Sequence, residues 1–363
     1  MLNYSSIPTK PMEIPIAIRI TTEQPVAILS NSFFNNMPNI TSQFNISHTA
    51  KQNNISSLDI AKLIKINESY GMLSEIVLPK FVQERSVFGK INNAFFTRVE
   101  VLSICNILNT IQNGDLNSKI MYIGDDFSSF VGVIAYMIPN RDIIFTPVTP
   151  GQLRNHEGIE QVLSLSTSKN VSLIYVDVCA PEVMYSHTYM VFLLKTLIII
   201  LSCQGKRGSV VIKTNMLIFK PILDVLYLLS GKYEHMYIVR PFVSQDADSR
   251  FVIFTGMVSN SLTSTINALI ASVNDINTIA PNQIISSVID CKMSQYFVSK
   301  MEESNLLIGQ KYVEKYDSLI TMIKTYHNDV RSDYIKHAAI MRCIGWCEKH
   351  GIPTHPISRH PPA

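Results

Sequence analysis

The sequence lacks five things that would narrow its class at once: a charge excess, a cysteine framework, an apolar leader, an internal repeat and a membrane-length run. Its net charge of +3 is compatible with a nucleic-acid partner but too weak to argue for one. Six cysteines, Cys105, Cys179, Cys203, Cys291, Cys343 and Cys347, are scattered through 363 residues. That is no disulfide scaffold, and it points to a reducing compartment. The opening MLNYSSIPTKPMEIP has no apolar core, so no secretory signal is expected and the expected location is cytoplasmic. The most apolar run, YMVFLLKTLIIILS (189–202), is short for a span and carries Lys195 in its middle. A buried helix is expected there, with no membrane partner.

What is present is a globular composition, 47% hydrophobic and 16% charged, long enough for a large core. Residues 1–88 are rich in Asn, Ser, Thr and Pro and read as an irregular arm with short strands. A helix at SLDIAKLIKINESYG closes it, with Ser57 and Asp59 supplying cap chemistry. Residues 89–258 alternate helical and strand patterns. TRVEVLSICNILNTI is a helix, SKIMYIGDD a strand and turn, FSSFVGVIAYMIP a helix, DIIFTPV a strand, EGIEQVLSLS a helix and VSLIYVDV a strand. The apolar helix, GSVVIKTN, a helix at FKPILDVLYLLSG and two closing strands, HMYIVRPF and SRFVIFTG, complete the series. The predicted fold is α/β, a Rossmann-like, doubly wound, mostly parallel sheet with an antiparallel edge pair. Residues 259–363 read as a helical C-terminal extension ending in a Pro-rich tail.

In a doubly wound sheet, ligands bind beyond the carboxyl ends of the strands. Asp126 follows MYIG, Asp177 ends SLIYV, and Lys213 ends the β-branched run of GSVVIKTN. If the Asp177 and Lys213 strands are neighbours, the two side chains share one mouth.

That order resembles the FtsJ-like (RrmJ-like) RNA 2′-O-methyltransferases, especially the viral cap enzymes of coronaviruses and poxviruses. The resemblance spans roughly residues 95 to 257 and rests on LIYVDVCAP, GSVVIKTN and VRPFVSQDADSRFVIFTG. It implies a Lys-Asp-Lys-Glu tetrad on a fold that binds S-adenosylmethionine, with capped mRNA as substrate. A poxvirus member of the family also works with poly(A) polymerase, so RNA and a viral polymerase are the implied partners. Asp177 then matches the tetrad aspartate and Lys213 the second lysine. Arg98 stands near the place of the first lysine. The closing acid falls in DADSRF, where Asp248 is nearest, although the alignment equally places Ser249 there.

Methyl transfer to a ribose hydroxyl is an in-line displacement, so positioning supplies much of the rate. The hydroxyl also loses its proton, which a lysine can accept. The resemblance implies cofactor contacts at Gly124, Asp125, Asp126, Ser128 and Asp177. Here the chain departs from the family: the turn IGDDFSSFVG keeps Gly124 but has Asp125, Asp126 and Phe127 in place of further glycines. The second strand also lacks the usual terminal acid, with Thr146 and Pro147 near that end and Asp142 at the other. Either the enzyme is divergent, or the fold has been kept as an RNA- or polymerase-binding subunit without catalysis.

Other features carry less. His337, Cys343, Cys347, His350 and His355 are zinc-binding types, but their spacing fits no zinc site, and no metal is expected. The sole Trp346 reads as core. Lys206, Arg207, Lys232 and Arg240 can meet phosphates, though a solvated surface explains them as well.

Overall fold

The computed structural model describes residues 4–9, 12–23, 45–68, 70–85, 91–112, 118–154, 160, 163–164, 170–178, 186–215, 217–244, 250–258, 262–276 and 283–356. Its strands are β1 (Tyr4–Pro8), β2 (Ile16–Thr21), β3 (Ser118–Gly124), β4 (Ile143–Val148), β5 (Val171–Asp177), β6 (Gln204–Thr214), β7 (Tyr233–Val239), β8 (Arg250–Met257) and β9 (Ile284–Ile289). The early helices are α1 (Ile46–Gln52), α2 (Ser57–Asn67), α3 (Leu73–Ile76), α4 (Pro79–Arg85), α5 (Asn93–Ser103) and α6 (Asn109–Gln112). Within the sheet region lie α7 (Phe127–Met137), α8 (Pro150–Arg154), α9 (His187–Cys203) and α10 (Lys220–Ser230). The C-terminal helices are α11 (Thr263–Ile276), α12 (Gln295–Lys324) and α13 (Asp329–Lys349).

Seven strands form one sheet in the order β4-β3-β5-β6-β8-β7-β1. The pairs β3–β4, β3–β5 and β5–β6 are parallel, while β6–β8, β7–β8 and β1–β7 are antiparallel. Strands β3, β4, β5, β6 and β7 thus run one way and β8 and β1 the other, so the fold is α/β with a mostly parallel central sheet, as expected. Strand β4, which carries Pro147, sits at one edge, the position in a sheet where proline is tolerated. The closing strands pair antiparallel as expected, but they are not an edge pair. Strand β8 inserts between β6 and β7, and β1, from the N-terminal arm, seals the β7 edge. Covering an edge removes a row of unsatisfied backbone groups.

Strand parity sends alternate side chains to two separate cores. Met121, Ile123, Ile174, Val176, Val210 and Ile212 pack on one face against α9, α10 and α11. Ile120, Tyr122, Leu173, Tyr175, Val211, Phe251 and Ile253 pack on the other, against α5 and α7. The apolar run predicted as a buried helix is α9, whose residues are buried all round, Lys195 included.

Four local expectations change. The cap of α2 is Ser56 rather than Ser57: its hydroxyl accepts from the Asp59 amide at 3.1 Å. The helix expected over 97–111 breaks after Ser103, because Cys105 adopts a left-handed φ of 59°. The C-terminal extension is not wholly helical: its short strand β9 pairs antiparallel with β2. The helix expected at EGIEQVLSLS lies largely outside the described residues. No helix among the described residues is long and apolar enough to cross a membrane.

Candidate active site at the strand ends

Parity assembles the site. Gly124 follows Tyr122 by two residues, Asp177 follows Tyr175, and Lys213 follows Val211. All three strand ends therefore face α5. The register sets them level: Gly124 lies opposite Asp177, and Val176 opposite Ile212, one step before Lys213.

Helix α5 delivers the counter-charge. Asn92 caps it by accepting from the Phe95 amide at 3.2 Å. Phe95, Phe96 and Val99 anchor the helix in the core, and Arg98 is carried with them to 3% exposure. Arg98 Nε and Nη2 donate to Asp177 Oδ2 at 3.0 and 2.7 Å. Its Nη1 donates to Asp126 Oδ2 and to Ser129 Oγ, both at 3.0 Å. Its Nη2 also donates to the Tyr122 hydroxyl at 3.1 Å. A guanidinium has five N–H donors, and this one spends all five on protein. Burial alone would lower the Arg98 pKa; attraction to Asp177 and to the Tyr122 and Tyr175 oxygens outweighs it and holds the group above its ordinary value.

On the other side, Lys213 Nζ stands 3.6 Å from Asp177 Oδ1. One carboxylate is thus shared by two cations, each taking a different oxygen. Lys213 keeps 17% of its side chain exposed, so it is not the fully buried ammonium that its strand context implies. Beneath the group lies an aromatic floor, with Tyr122 stacked on Phe130 at 4.7 Å and Phe130 against Tyr175 at 4.9 Å. Burial pushes the Tyr122 and Tyr175 pKa values well up, helped by Asp177. Both phenols are therefore neutral. The Tyr175 hydroxyl is buried without a hydrogen-bond partner among the described residues.

The turn after β3 is tight for a reason of its own. A Cβ at Gly124 would meet the Asp177 carbonyl at 2.8 Å and the Tyr122 hydroxyl at 2.8 Å. Only glycine fits there. Tyr122 itself fills the space Gly124 leaves, and its oxygen takes a backbone hydrogen bond from Asp126. Asp125 and Ser128 are exposed on the rim, and Asp126 is part-buried. Asp177 is taken up by Arg98 and Lys213, while the exposed Asp125 and the part-buried Asp126 bring carboxylates to the rim, acceptors that suit the ammonium and sulfonium charges of S-adenosylmethionine. Asp142 precedes β4 at the far end of the sheet, as its sequence position indicates.

The structure thus brings together Arg98, Asp177, Lys213, Gly124 and Asp126. Asp248, with Ser249, lies outside the described residues. The weaker sequence candidates separate. Cys343 and Cys347 are buried in the core with Trp346, and burial pushes their thiols up to about 11 and about 12. No three His, Cys, Asp or Glu side chains gather as a metal site among the described residues. Lys232 is not a solvated surface group: it is buried, with Nζ 3.5 Å from the Met12 carbonyl. Sequence reasoning missed Ser129 and Tyr122 as partners of Arg98. Their positions on the first turn of α7 and on the α5 face of β3 are the signals that pick them out.

No family model matches the chain, and no curated protein matches it. Among solved structures it is similar to a probable spermidine synthase from Corynebacterium glutamicum, at 13% identity and a TM-score of 0.29. The match covers 52% of this chain and 72% of that one. So slight a likeness carries no functional argument, and the reading of the site rests on its own geometry.

Proposed function

We propose that this chain is an S-adenosylmethionine-dependent RNA 2′-O-methyltransferase of the viral cap type. The observation that carries this reading is the strand-end carboxylate of Asp177 held between Arg98 and Lys213. Those are three positions of the tetrad that the FtsJ-like resemblance implies. A bound S-adenosylmethionine would supply a sulfonium methyl group to the ribose oxygen and leave as the neutral thioether, and the hydroxyl proton needs a base. Lys213 Nζ is the base that takes that proton. Asp177 fixes the amine through Oδ1, and its negative charge favours a cation beside it. Arg98, with every donor engaged, acts through Asp177 and is a positioning residue. It does the orienting that the family assigns to a lysine, at the cost of touching no substrate. Capped mRNA is the substrate and a viral polymerase the associated protein in this reading, with the host cytoplasm as location.

One observation favours a second reading, a non-catalytic RNA- or polymerase-binding subunit: the Tyr122 phenol fills the space over Gly124. Methyl transfer from labelled S-adenosylmethionine to capped RNA separates the two. The first reading expects incorporation at a ribose 2′-oxygen and a loss of about 10²-fold or more in Lys213→Ala. Full activity in that variant removes Lys213 as base. RNA binding without cofactor binding or methyl transfer establishes the second reading.

A further inference from the structure

The end of β6 is held from the far face of the sheet. Lys213 lies opposite Phe251, and on the next and last rung Thr214 lies opposite Arg250. Parity sends Lys213 and Phe251 towards α5, and Thr214 and Arg250 to the other face, with Ile212 and Val252. Arg250 is fully buried there, and what meets it is helix α12.

Along α12, Phe297 and Met301 pack into the core on this face, and Asn305 follows at the same four-residue spacing. An apolar side chain is what that stripe calls for. Asn305 is instead a fully buried amide, which is costly unless each of its ends is bonded. Both ends are bonded: Arg250 Nη1 donates to Asn305 Oδ1, and Asn305 Nδ2 donates to the Leu217 carbonyl at 2.8 Å. The two ends are not interchangeable, because a guanidinium only donates and a carbonyl only accepts. One amide thus ties the chain entering β8, at Arg250, to the chain that has left β6, at Leu217. It spans the rung next to Lys213.

That tie bears on the site. Lys213 Nζ reaches Asp177 at 3.6 Å, a longer contact than those Arg98 makes at 2.7 and 3.0 Å. The height of the amine in the mouth therefore follows where the β6 backbone ends. Displacing a reacting group by about 1 Å costs about 10²-fold in rate. Asn305 stands beyond residues 95 to 257, so the methyltransferase resemblance does not supply it.

We propose that Asn305 is a positioning residue for Lys213, acting through Arg250 and Leu217, and that α12 thereby belongs to the reacting unit. The catalytic half of this rests on the methyl-transfer reading; the tie itself does not. Two measurements on the full chain test the halves separately, with Asn305→Leu, which loses both bonds, and Asn305→Asp, which keeps an acceptor for Arg250 and loses the donor to Leu217. In amide hydrogen exchange, Asn305→Leu is expected to speed exchange at Lys213, Thr214 and Phe251 about ten-fold, the loss of one buried hydrogen bond. Met121 to Ile123 in β3 should keep wild-type rates, and Asn305→Asp should fall between the two. In methyl transfer to capped RNA, with rates referred to the cofactor-binding stoichiometry so that unfolded protein does not count, Asn305→Leu should lower kcat about ten-fold. Its KM for S-adenosylmethionine should stay unchanged, and Asn305→Asp should recover part of the rate. Wild-type exchange at the β6 end, or equal acceleration in β3, overturns the tie. A loosened β6 end with wild-type kcat overturns the positioning role. Absence of methyl transfer in the wild type removes that role together with the methyltransferase reading, and exchange alone then decides the tie.

Discussion

Helix α5 carries two buried ionisable side chains, Arg98 and Glu100, and they serve regions of opposite character. Arg98 belongs to a site whose charges match: two cations, Arg98 and Lys213, interleave with Asp177 and Asp126. Glu100 supports the wall of a cavity of about 440 Å3 between the segment after β7 and helices α2, α12 and α13, where the described lining has Arg240, Lys311, Lys315 and Arg342 against Glu68 and Glu314. The contrast is between a network closed on itself and charges set around open volume. A guanidinium with all five donors spent positions its neighbours, whereas cations that line open volume lower one another's pKa, as Arg240 does that of Lys311 after burial.

The largest expected effect breaks the locked side. Arg98→Ala leaves the Asp177 carboxylate with the longer Lys213 contact in place of its two guanidinium hydrogen bonds and should cost about 3 kcal/mol, read from denaturant unfolding. An equal loss from Arg342→Ala, on the cavity rim, would erase the contrast.

Acid probes the C-terminal end of α13, where His350 packs on Trp346, the partner of Glu100. Burial, and then the Lys349 charge, push His350 down to about 4 from its ordinary 6.5. The folded state therefore resists protonation that the unfolded chain accepts. Its contribution is present above pH 6.5 and lost as pH falls towards 4, a change of roughly 2–3 kcal/mol. Denaturant midpoints measured across that range should fall, and His350→Gln should flatten the dependence.

Gly124→Ala comes next, at about 1–3 kcal/mol, because the new methyl group meets the Asp177 carbonyl and the Tyr122 phenol. A melting temperature equal to wild type would mean that the strand ends are not packed that closely. The smallest effect is expected from Tyr175→Phe. Removing a buried hydroxyl that has no partner should leave stability unchanged or raise it by under about 1 kcal/mol. A loss there would reveal a partner for the hydroxyl.

The contrast also separates what the sequence makes visible from what it hides. Asp177 and Lys213 are legible because each ends an apolar strand, and side-chain alternation fixes the face on which each falls. Arg98 is legible by its place on the preceding helix, although the saturation of its donors is not. Long-range pairing is what local patterns miss. Strand β1 joins β7 across more than 200 positions of chain, and β9, IISSVI, shows its role only beside β2. The cavity escapes for the same reason: Tyr70, Arg240, Lys311 and Arg342 sit on four separate segments that only the fold brings together. The Ser56 cap is missed by one residue, within the ordinary uncertainty of helix ends.

The central claim is that the acceptor-rich strand ends, with Lys213 beside Asp177, serve a bound sulfonium cofactor. A calorimetric titration of the full chain with S-adenosylmethionine, repeated on Asp177→Asn, tests it most directly. The account predicts one saturable site in the wild type, weakened about ten-fold or more when the carboxylate is neutralised. No binding heat in the wild type, or equal affinity in both proteins, would contradict it.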